Sequence, residues 1–294
     1  MPSLNRDPQG SILIRLRGLY PSLKTALQKV ADLIQRQPEM AIYASVNAVA
    51  AAAGVSEATV MRFCRTLGFK GFQDFKICLA RELTAAPQFS PEEMGAEDDA
   101  VNIVRKVFQG GSAALQDTLQ VLDAEAAQQA AQALLQARRA LIVGLDDAAP
   151  LVSYAVNRFF LLGIDAHGYT DGYNLLMAVS LAGPQDVLLA ISHLGGTREV
   201  VEAAQLARDA GARVIAITNN PLAPLSRVSN LVLVTASQET PTQQQGMASF
   251  LCQAFVIDCL FALMVQARPQ QVQENHVRIL KVISQGNLNF RRAF

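Results

Sequence analysis

The spacing of apolar residues changes once along this chain, close to residue 139. Before that point apolar residues recur every three or four positions, which is the period of a helix with one buried side. After it, short uninterrupted apolar runs alternate with stretches of helical period, and such runs are typical of strands buried on both faces. Four such runs predict strands at residues 140–144, 186–192, 213–218 and 230–235, and DAHGY at 165–169 is expected to form a fifth, shorter strand. The helices around them are predicted at 148–162, 172–182, 197–210 and 246–266. The alternation predicts a three-layer α/β fold in which helices cover both faces of a five-stranded parallel sheet.

The chain before residue 85 is predicted to be an all-α domain. Helices are expected at residues 11–19, 22–36, 46–53 and 71–84, and a further helix is expected to begin directly after Ser56. The segment TAAPQFSPEEMGAEDDA that follows has two prolines, several acidic residues and little apolar content, which is typical of a linker. Two more helices, at about 101–122 and 123–137, precede the first strand. We therefore predict a helical domain at residues 1–84, a linker at 85–100 and an α/β domain at 101–294.

The pattern of residue types at 45–71 predicts two short helices joined by a tight turn. Ser45 is suited to cap the first helix, Gly54 to end it with a positive φ, and Ser56 to cap the second. Each helix has one apolar stripe, so its other side is expected to face solvent. On the second helix that outer side is polar and basic.

In a helix-turn-helix, the exposed side of the second helix presents its side chains to a DNA groove, and a polar, basic surface suits that role. Residues near the start of the recognition helix read base edges, and hydroxyl, basic and backbone amide groups hold the phosphates. The predicted DNA-binding residues are Ser45, Ser56, Ala58, Thr59, Arg62, Arg65, Lys70 and Gly71. The alternative is an ordinary helical hairpin with a charged outer face.

Charge supports the DNA-binding hypothesis once the chain is divided. The whole chain has a formal net charge of zero. Residues 1–84 hold 11 Lys and Arg against 6 Asp and Glu, a net charge of +5, and the remainder holds 14 against 19, a net charge of −5. A basic module of this kind binds the phosphate backbone, and its affinity falls with salt.

Neither a metal site nor a cofactor is expected from the sequence. Four cysteines lie in apolar helical patterns without metal-ligand spacing, so we expect them to be reduced core residues; they are Cys64, Cys78, Cys252 and Cys259. No apolar run is expected to reach the roughly 18 to 20 residues of a membrane span, and residues 1–10 lack a signal-peptide pattern. A cytoplasmic protein without a membrane partner is the expectation.

A ligand crevice is predicted where the strands of the parallel sheet end. Three loops reach that edge, at residues 144–148, 192–197 and 218–226. In the second of them, ISHLGGTREV, two glycines allow backbone amides to approach a ligand and two hydroxyls lie beside the start of a helix. The alternative is a plain strand-to-helix turn capped by Thr197.

Three segments resemble one known family: VSEATVMRFCRTLGFKGFQDFK, LLAISHLGGTREVVEAAQLARDAGARVIAITNNPLAPLSRVSNLVL and ASFLCQAFVIDCLF. Together they resemble RpiR-family bacterial transcriptional regulators, in which a helix-turn-helix precedes a SIS (sugar isomerase) domain. The resemblance covers residues 11–266. It implies a double-stranded DNA operator, a phosphorylated sugar or related metabolite as effector in the SIS crevice, and a homodimer or homotetramer. The effector-binding residues implied here are Gly144, Asp146, Asp147, Ser192, His193, Gly195, Gly196, Thr197 and Glu239.

The crevice departs from the family pattern at several places. LDDAAP stands where relatives commonly carry a serine, so Asp146 and Asp147 bring negative charge towards the expected phosphate. Leu194 replaces a second serine, and Gln243 and Phe250 stand where arginine often appears. Each hydrogen bond lost to a charged group costs about 1.5–3 kcal/mol, so ordinary sugar-phosphate binding at this loop is expected to be lost.

Two interpretations of the crevice stay open. It binds a different small molecule, with a cationic or hydroxyl-rich group near the aspartates, or it serves mainly as a dimerisation scaffold. Asp146 and Asp147 are equally compatible with a solvated turn that caps the next helix, and His193 is expected to be an exposed loop residue.

A rival function from another class is a sugar-phosphate isomerase of the same fold, in which Glu239 or His193 would act as general base. The helix-turn-helix and the lost phosphate ligands argue against it. The sequence therefore favours a DNA-binding transcriptional regulator over an enzyme.

Overall fold

The computed structural model describes residues 12–85, 98–237 and 247–285 of the chain. Contacts between Cα atoms divide it into two units. The helical unit consists of Met1–Leu122, Asn219–Ala223 and Val234–Cys252, and the sheet unit consists of Asp123–Thr218, Pro224–Leu233 and Gln253–Phe294. Most of the predicted linker lies outside the described residues, and the predicted domain limits stay a prediction.

The helices of the helical unit agree with the pattern of apolar residues. Their bounds are α1 (Ile12–Leu19), α2 (Thr25–Arg36), α3 (Pro38–Tyr43), α4 (Val46–Ala53), α5 (Glu57–Thr66), α6 (Phe72–Ala85) and α7 (Ala100–Val121). The sequence predicted that α2 ends before Pro38 but did not predict α3. Proline lacks an N–H group and is therefore tolerated at the first position of a helix, where no N–H bond is needed. Pro38 ends one helix and begins the next.

One apolar core holds α1 to α6 together. It includes Val30 and Ile34 of α2, Val49 of α4 and Phe63 of α5, all fully buried or nearly so. The Phe63 ring meets the Phe75 ring edge-on, with 5.9 Å between their centroids. These contacts fix the buried side of α5 and leave its polar side facing outward.

The sheet unit contains all five predicted strands. They are β1 (Arg139–Val143), β2 (Ala166–Tyr169), β3 (Asp186–Ile191), β4 (Arg213–Thr218) and β5 (Leu231–Val234), in the spatial order β2-β1-β3-β4-β5. β1 pairs in parallel with both β2 and β3, and β3 pairs in parallel with β4. The order reverses direction between β1 and β3, and this is the point where open parallel sheets bind ligands.

Helices cover both faces of this sheet, as the uninterrupted apolar runs predicted. The helices that follow α7 are α8 (Ala124–Gln136), α9 (Ala149–Leu161), α10 (Gly172–Ser180), α11 (Arg198–Asp209), α12 (Pro224–Val228), α13 (Met247–Ala267) and α14 (Pro269–Gln285). Leu141 and Leu188 pack on one face against α10, α11 and α12. Their neighbours Ile142 and Leu189 point to the other face and are equally buried.

α13 corrects the expectation that no apolar run approaches the length of a membrane span. It has 21 residues, and a stretch of 18 of them has a mean hydropathy of 2.1, so by length and composition alone it could cross a membrane. A core helix of a soluble protein meets the same criterion. α13 also carries Asp258, whose carboxylate lies 2.7 Å from the Arg158 guanidinium. Such a charged pair is costly inside a membrane, so composition is weak evidence here.

The cysteines only partly match the expectation that they are core residues. Cys64 and Cys252 are buried, and burial raises the pKa of the Cys64 thiol to about 12. Cys78 is half-buried. Cys259 is exposed, because α13 is apolar on all sides and not only on its buried side. For Cys259 the expectation was wrong.

Candidate DNA-binding surface and effector crevice

The turn between α4 and α5 has the geometry that its sequence predicted. The Ser45 hydroxyl accepts a hydrogen bond from the Ala48 N–H, and the Ser56 hydroxyl accepts one from the Thr59 N–H. Gly54 ends α4 with a φ of 63°, in the left-handed region that favours glycine. Local capping therefore fixes the angle between the two helices.

The outer side of α5 carries the predicted contact residues. The exposed ones are Ser56, Ala58, Arg62 and Arg65, while Thr59 is half-buried. The Thr59 hydroxyl lies 3.0 Å from the Ser56 hydroxyl, so both point to the same side of the helix start. This arrangement leaves the Arg62 and Arg65 side chains facing solvent on one helix.

The segment after α5 carries the predicted phosphate-binding groups. The Lys70 side chain is exposed, and its backbone N–H donates to the Asp74 carboxylate at 2.9 Å. Gly71 starts the next helix, where its carbonyl accepts from the Phe75 N–H. A Cβ atom on Gly71 would lie 3.3 Å from the Met61 Cε atom, so glycine keeps this approach relaxed.

Lys76 is a positioning residue that the sequence did not reveal. Its ammonium group donates to the Ala44 carbonyl at 2.9 Å. Ala44 directly precedes the Ser45 cap, so this bond ties the start of α4 to α6. The two residues are 32 positions apart, and no local pattern indicates such a contact.

The predicted crevice loops follow β1 and β3, at the point where the strand order reverses. Because β1 and β3 are parallel neighbours, their carboxyl ends lie at the same edge of the sheet. The loop at 144–148 and the loop at 192–197 therefore begin side by side. This is the expected position of a ligand crevice in such a sheet.

Thr197 does not cap α11, so the simple strand-to-helix turn is not what forms. It occupies the N-cap position, but its side chain makes no cap hydrogen bond. Its hydroxyl lies instead 3.2 Å from the Ser192 hydroxyl. The side chain at the cap therefore does not take up the first N–H groups of α11, which begins directly after this loop.

His193 is buried, and the expectation that it is an exposed loop residue was wrong. Only 7% of its surface is accessible. The Thr218 hydroxyl donates to the His193 carbonyl at 2.9 Å, and the Leu225 N–H donates to the Gly195 carbonyl at 3.0 Å. These long-range bonds hold the loop backbone inward.

The rest of this loop takes a turn that needs glycine at one position. Gly195 has a φ of 64° in the left-handed region. Leu194 is exposed, and so is Gly196. The two predicted glycines are therefore adjacent, one buried and one open to solvent.

The loop after β1 is exposed and carries both aspartates. Asp146 has a φ of 51°, the only positive value for a residue other than glycine in the described ranges. Asp146 and Asp147 form a short turn before α9, but no side chain caps that turn or α9. A solvated turn is therefore present, while the expected cap is not formed.

Gly144 is required by the close packing of this loop. It is buried, and an added Cβ atom would lie 3.0 Å from the Ala148 Cβ atom and 3.1 Å from the Val152 Cγ2 atom.

Glu239, the remaining predicted effector residue, and Gln243 lie outside the described residues. In the part of the chain that the structure describes, no His, Cys, Asp and Glu side chains form a group that could hold a metal ion.

Two family models match this chain. A helix-turn-helix domain of the rpiR family matches residues 10–86, and a SIS domain matches residues 133–263.

Two relatives and one solved structure illustrate matches over nearly its whole length. The HTH-type transcriptional regulator HexR of Escherichia coli is 31% identical over 95% of this chain and 96% of its own. HexR of Pseudomonas aeruginosa is 33% identical over 92% of this chain and 94% of its own. The structure of the Vibrio vulnificus NanR protein complexed with ManNAc-6P has a TM-score of 0.60 and 27% identity, covering 93% of this chain and 98% of that one. The chain belongs to the RpiR family of transcriptional regulators, with an N-terminal helix-turn-helix and a C-terminal SIS domain.

Proposed function

We propose that this regulator reads its operator with the outer side of α5 and holds the DNA backbone with the segment that follows. The single observation that carries the proposal is the geometry of the turn, in which two serine caps and Gly54 present Arg62 and Arg65 on one solvent-facing side. Basic side chains at such positions bind guanine edges or phosphates. The predicted contacts of Lys70 and Gly71 with phosphate belong to the same proposal.

Arg62→Ala is expected to cost about 1–3 kcal/mol of specific binding, because a bidentate arginine contact to a base edge is lost. The binding partner for the measurement is the DNA upstream of the chain's own coding region. Gel shifts at several salt concentrations give the affinity, and a footprint gives the site.

Lys29→Ala is the matched control, since it removes a positive charge from the exposed side of α2 in the same unit. The control is expected to bind the operator nearly as tightly as the wild type. An unchanged footprint and affinity for Arg62→Ala would remove Arg62 from the proposed surface.

We propose that the effector is a sugar-related metabolite bound between the loop after β1 and the loop after β3. The departures from the family pattern predict that ordinary sugar-phosphate binding is lost at this loop. The start of α11, which no side chain caps, and the paired Ser192 and Thr197 hydroxyls are the groups that we propose still bind an anionic group of the effector, in place of the missing serine and arginine side chains. A cationic or hydroxyl-rich group would face Asp146 and Asp147. The family resemblance alone supports the remaining proposed contacts, which are His193, Gly195, Gly196 and Glu239.

A pair of hexose phosphates that differ in one charged group tests this arrangement. Glucosamine 6-phosphate carries an ammonium group where glucose 6-phosphate carries a hydroxyl. The amino sugar is expected to bind about two- to fivefold more tightly, because exposed ion pairs contribute up to about 1 kcal/mol. Isothermal calorimetry on the full chain measures both affinities.

The double variant Asp146→Asn/Asp147→Asn provides the control for charge at almost constant shape. It is expected to lose the preference for the amino sugar. If both sugars bind equally well to the wild type, or if the variant keeps the preference, the proposed position of the aspartates is wrong. If neither sugar binds, the interpretation of the crevice as a scaffold is favoured.

We propose further that the chain is not an enzyme and acts on DNA in the cytoplasm as a homodimer or homotetramer. Paired recognition helices reach successive major grooves when they are about 34–36 Å apart, or a multiple of that distance. Turnover of hexose and pentose phosphates by the purified chain would instead support the isomerase, for which Glu239 and His193 are the candidate bases.

A further inference from the structure

A short segment between β4 and α12 belongs by its contacts to the helical unit. Asn219–Ala223 is grouped with that unit, whereas Thr218 before it and Pro224 after it belong to the sheet unit. Asn220 is 4% exposed, and its side-chain amide donates to the Ser22 hydroxyl at 2.7 Å. Leu222 packs against the apolar core that holds α5. The segment is thus part of the packing of the helix-turn-helix unit.

Gly18 of α1 is the residue that allows this segment to approach so closely. A Cβ atom at position 18 would lie 2.9 Å from the Asn219 carbonyl oxygen and 3.8 Å from the Pro221 Cδ atom. The first distance is shorter than a carbon and a carbonyl oxygen tolerate without displacement. Any larger residue at position 18 would push the segment away from α1.

The segment that follows β5 is tied into the same unit. The Asn219 side chain accepts from the Ser237 N–H at 2.8 Å. The Thr118 hydroxyl of α7 exchanges hydrogen bonds with Ala236, accepting from its N–H at 3.0 Å and donating to its carbonyl at 3.2 Å. Both segments that leave the carboxyl ends of the last two strands are therefore fixed to α1 and α7.

Both ends of Asn219–Ala223 are also fixed, within the sheet unit, to the loop at 192–197. On one side the Thr218 hydroxyl donates to the His193 carbonyl. On the other side the Leu225 N–H donates to the Gly195 carbonyl. A shift of that loop must therefore move the two chain ends between which the segment is held.

We propose that Asn219–Ala223 is the mechanical link through which the effector loop at 192–197 acts on the helix-turn-helix unit, with Gly18 and Ser22 as its positioning residues. The proposal rests on the proposed function, because it connects the proposed effector site with the proposed DNA-binding surface. A ligand that draws the 192–197 loop inward pulls on Thr218 and Leu225, and the segment transmits the displacement to α1. The effect is reciprocal, so a change at α1 must also alter the loop.

Amide hydrogen exchange of the full chain, without DNA or effector, tests the link. Thr218→Val removes the hydrogen bond to His193 at almost constant shape, and exchange is expected to become about two- to tenfold faster in the peptide that covers residues 16–23. Tyr154→Phe is the matched control, since it removes a hydroxyl bond to Asp258 within the sheet unit. The control should leave that peptide unchanged.

Asn220→Ala tests the reverse direction and keeps the proposal testable if Thr218→Val fails to fold. It is expected to accelerate exchange in the peptide that covers residues 192–197 by a similar factor. In a Gly18→Ala background, Thr218→Val is expected to have no further effect on residues 16–23. Unchanged exchange in the distant peptide for both Thr218→Val and Asn220→Ala would overturn the link.

Failure of the link is distinguishable from failure of the proposed function. If the wild type binds its operator and a hexose phosphate but neither variant changes exchange in the distant peptide, only the proposed link is wrong. If both variants change exchange in the distant peptide but the wild type binds no operator, the link is supported and the proposed function is wrong.

Discussion

Phe63→Ala is expected to lower the free energy of unfolding of the helical unit by about 3–5 kcal/mol and to abolish operator binding. Phe63 is 1% exposed and lies on the buried side of α5, against the edge of the Phe75 ring. Removing the ring leaves a cavity under the helix that carries Arg62 and Arg65. A loss of this size is a large part of the stability of an ordinary domain, so the recognition side would no longer be held in place.

Urea unfolding followed by circular dichroism measures this loss, and gel shifts measure the binding. Phe108→Ala is the matched control, because Phe108 of α7 belongs to the same unit but is 76% exposed. Its effect should stay within about 0.5 kcal/mol, as is usual for surface substitutions. Equal unfolding midpoints for the two variants would contradict the assigned core.

Asp186→Asn is expected to destabilise the sheet unit by about 3 kcal/mol, because it removes the charge of a buried carboxylate that is hydrogen-bonded to two partly exposed arginines. The Asp186 carboxylate is fully buried and receives bonds from Arg138 at 3.0 and 3.2 Å and from Arg139 at 3.0 Å. The Gly183 N–H donates to it as well. These bonds join the starts of β1 and β3.

The same cluster predicts a pH dependence. Burial raises the pKa of Asp186, but the bonds from Arg138, Arg139 and the Gly183 N–H outweigh burial and hold it below its ordinary value of 3.8. The carboxylate therefore contributes its full stability above about pH 4, and the contribution is lost as the pH falls through the lowered pKa. The stability difference between the wild type and Asp186→Asn should shrink in that acidic range.

Chemical unfolding at several pH values measures this difference. Asp209→Asn is the control, since Asp209 lies on the exposed side of α11. It should leave stability nearly unchanged at every pH. If the difference in free energy of unfolding between the wild type and Asp186→Asn stays constant into strong acid, the charge of the carboxylate is not what stabilises the cluster.

Local features of this chain were predicted well because neighbouring residues cause them. Ser45, Gly54 and Ser56 act on backbone groups within a few positions of themselves, so the caps and the turn follow from sequence alone. Four of the five strands followed from uninterrupted apolar runs, which are typical of strands buried on both faces. The DNA-binding and effector-binding residues themselves stay predictions.

The crevice was predicted less well because distant residues shape it. The sequence left open whether Thr197 caps α11, and in the structure its hydroxyl lies instead beside the Ser192 hydroxyl. His193 was expected in solvent, but bonds from Thr218 and Leu225 to its loop draw it into the interior. Competition between a local cap and a long-range bond depends on which groups the fold brings together.

The sequence by itself determined most of the helices, the turn, the five strands and the family, since each depends on residue type and short spacing; α3, α12 and α14 were not predicted. Only the tertiary structure decided that Lys76 holds the start of α4 and that α1 needs glycine at position 18. It also decided that Asn219–Ala223 packs with the helical unit. These contacts join residues 32 to about 200 positions apart, and their geometry exists only once the chain has folded.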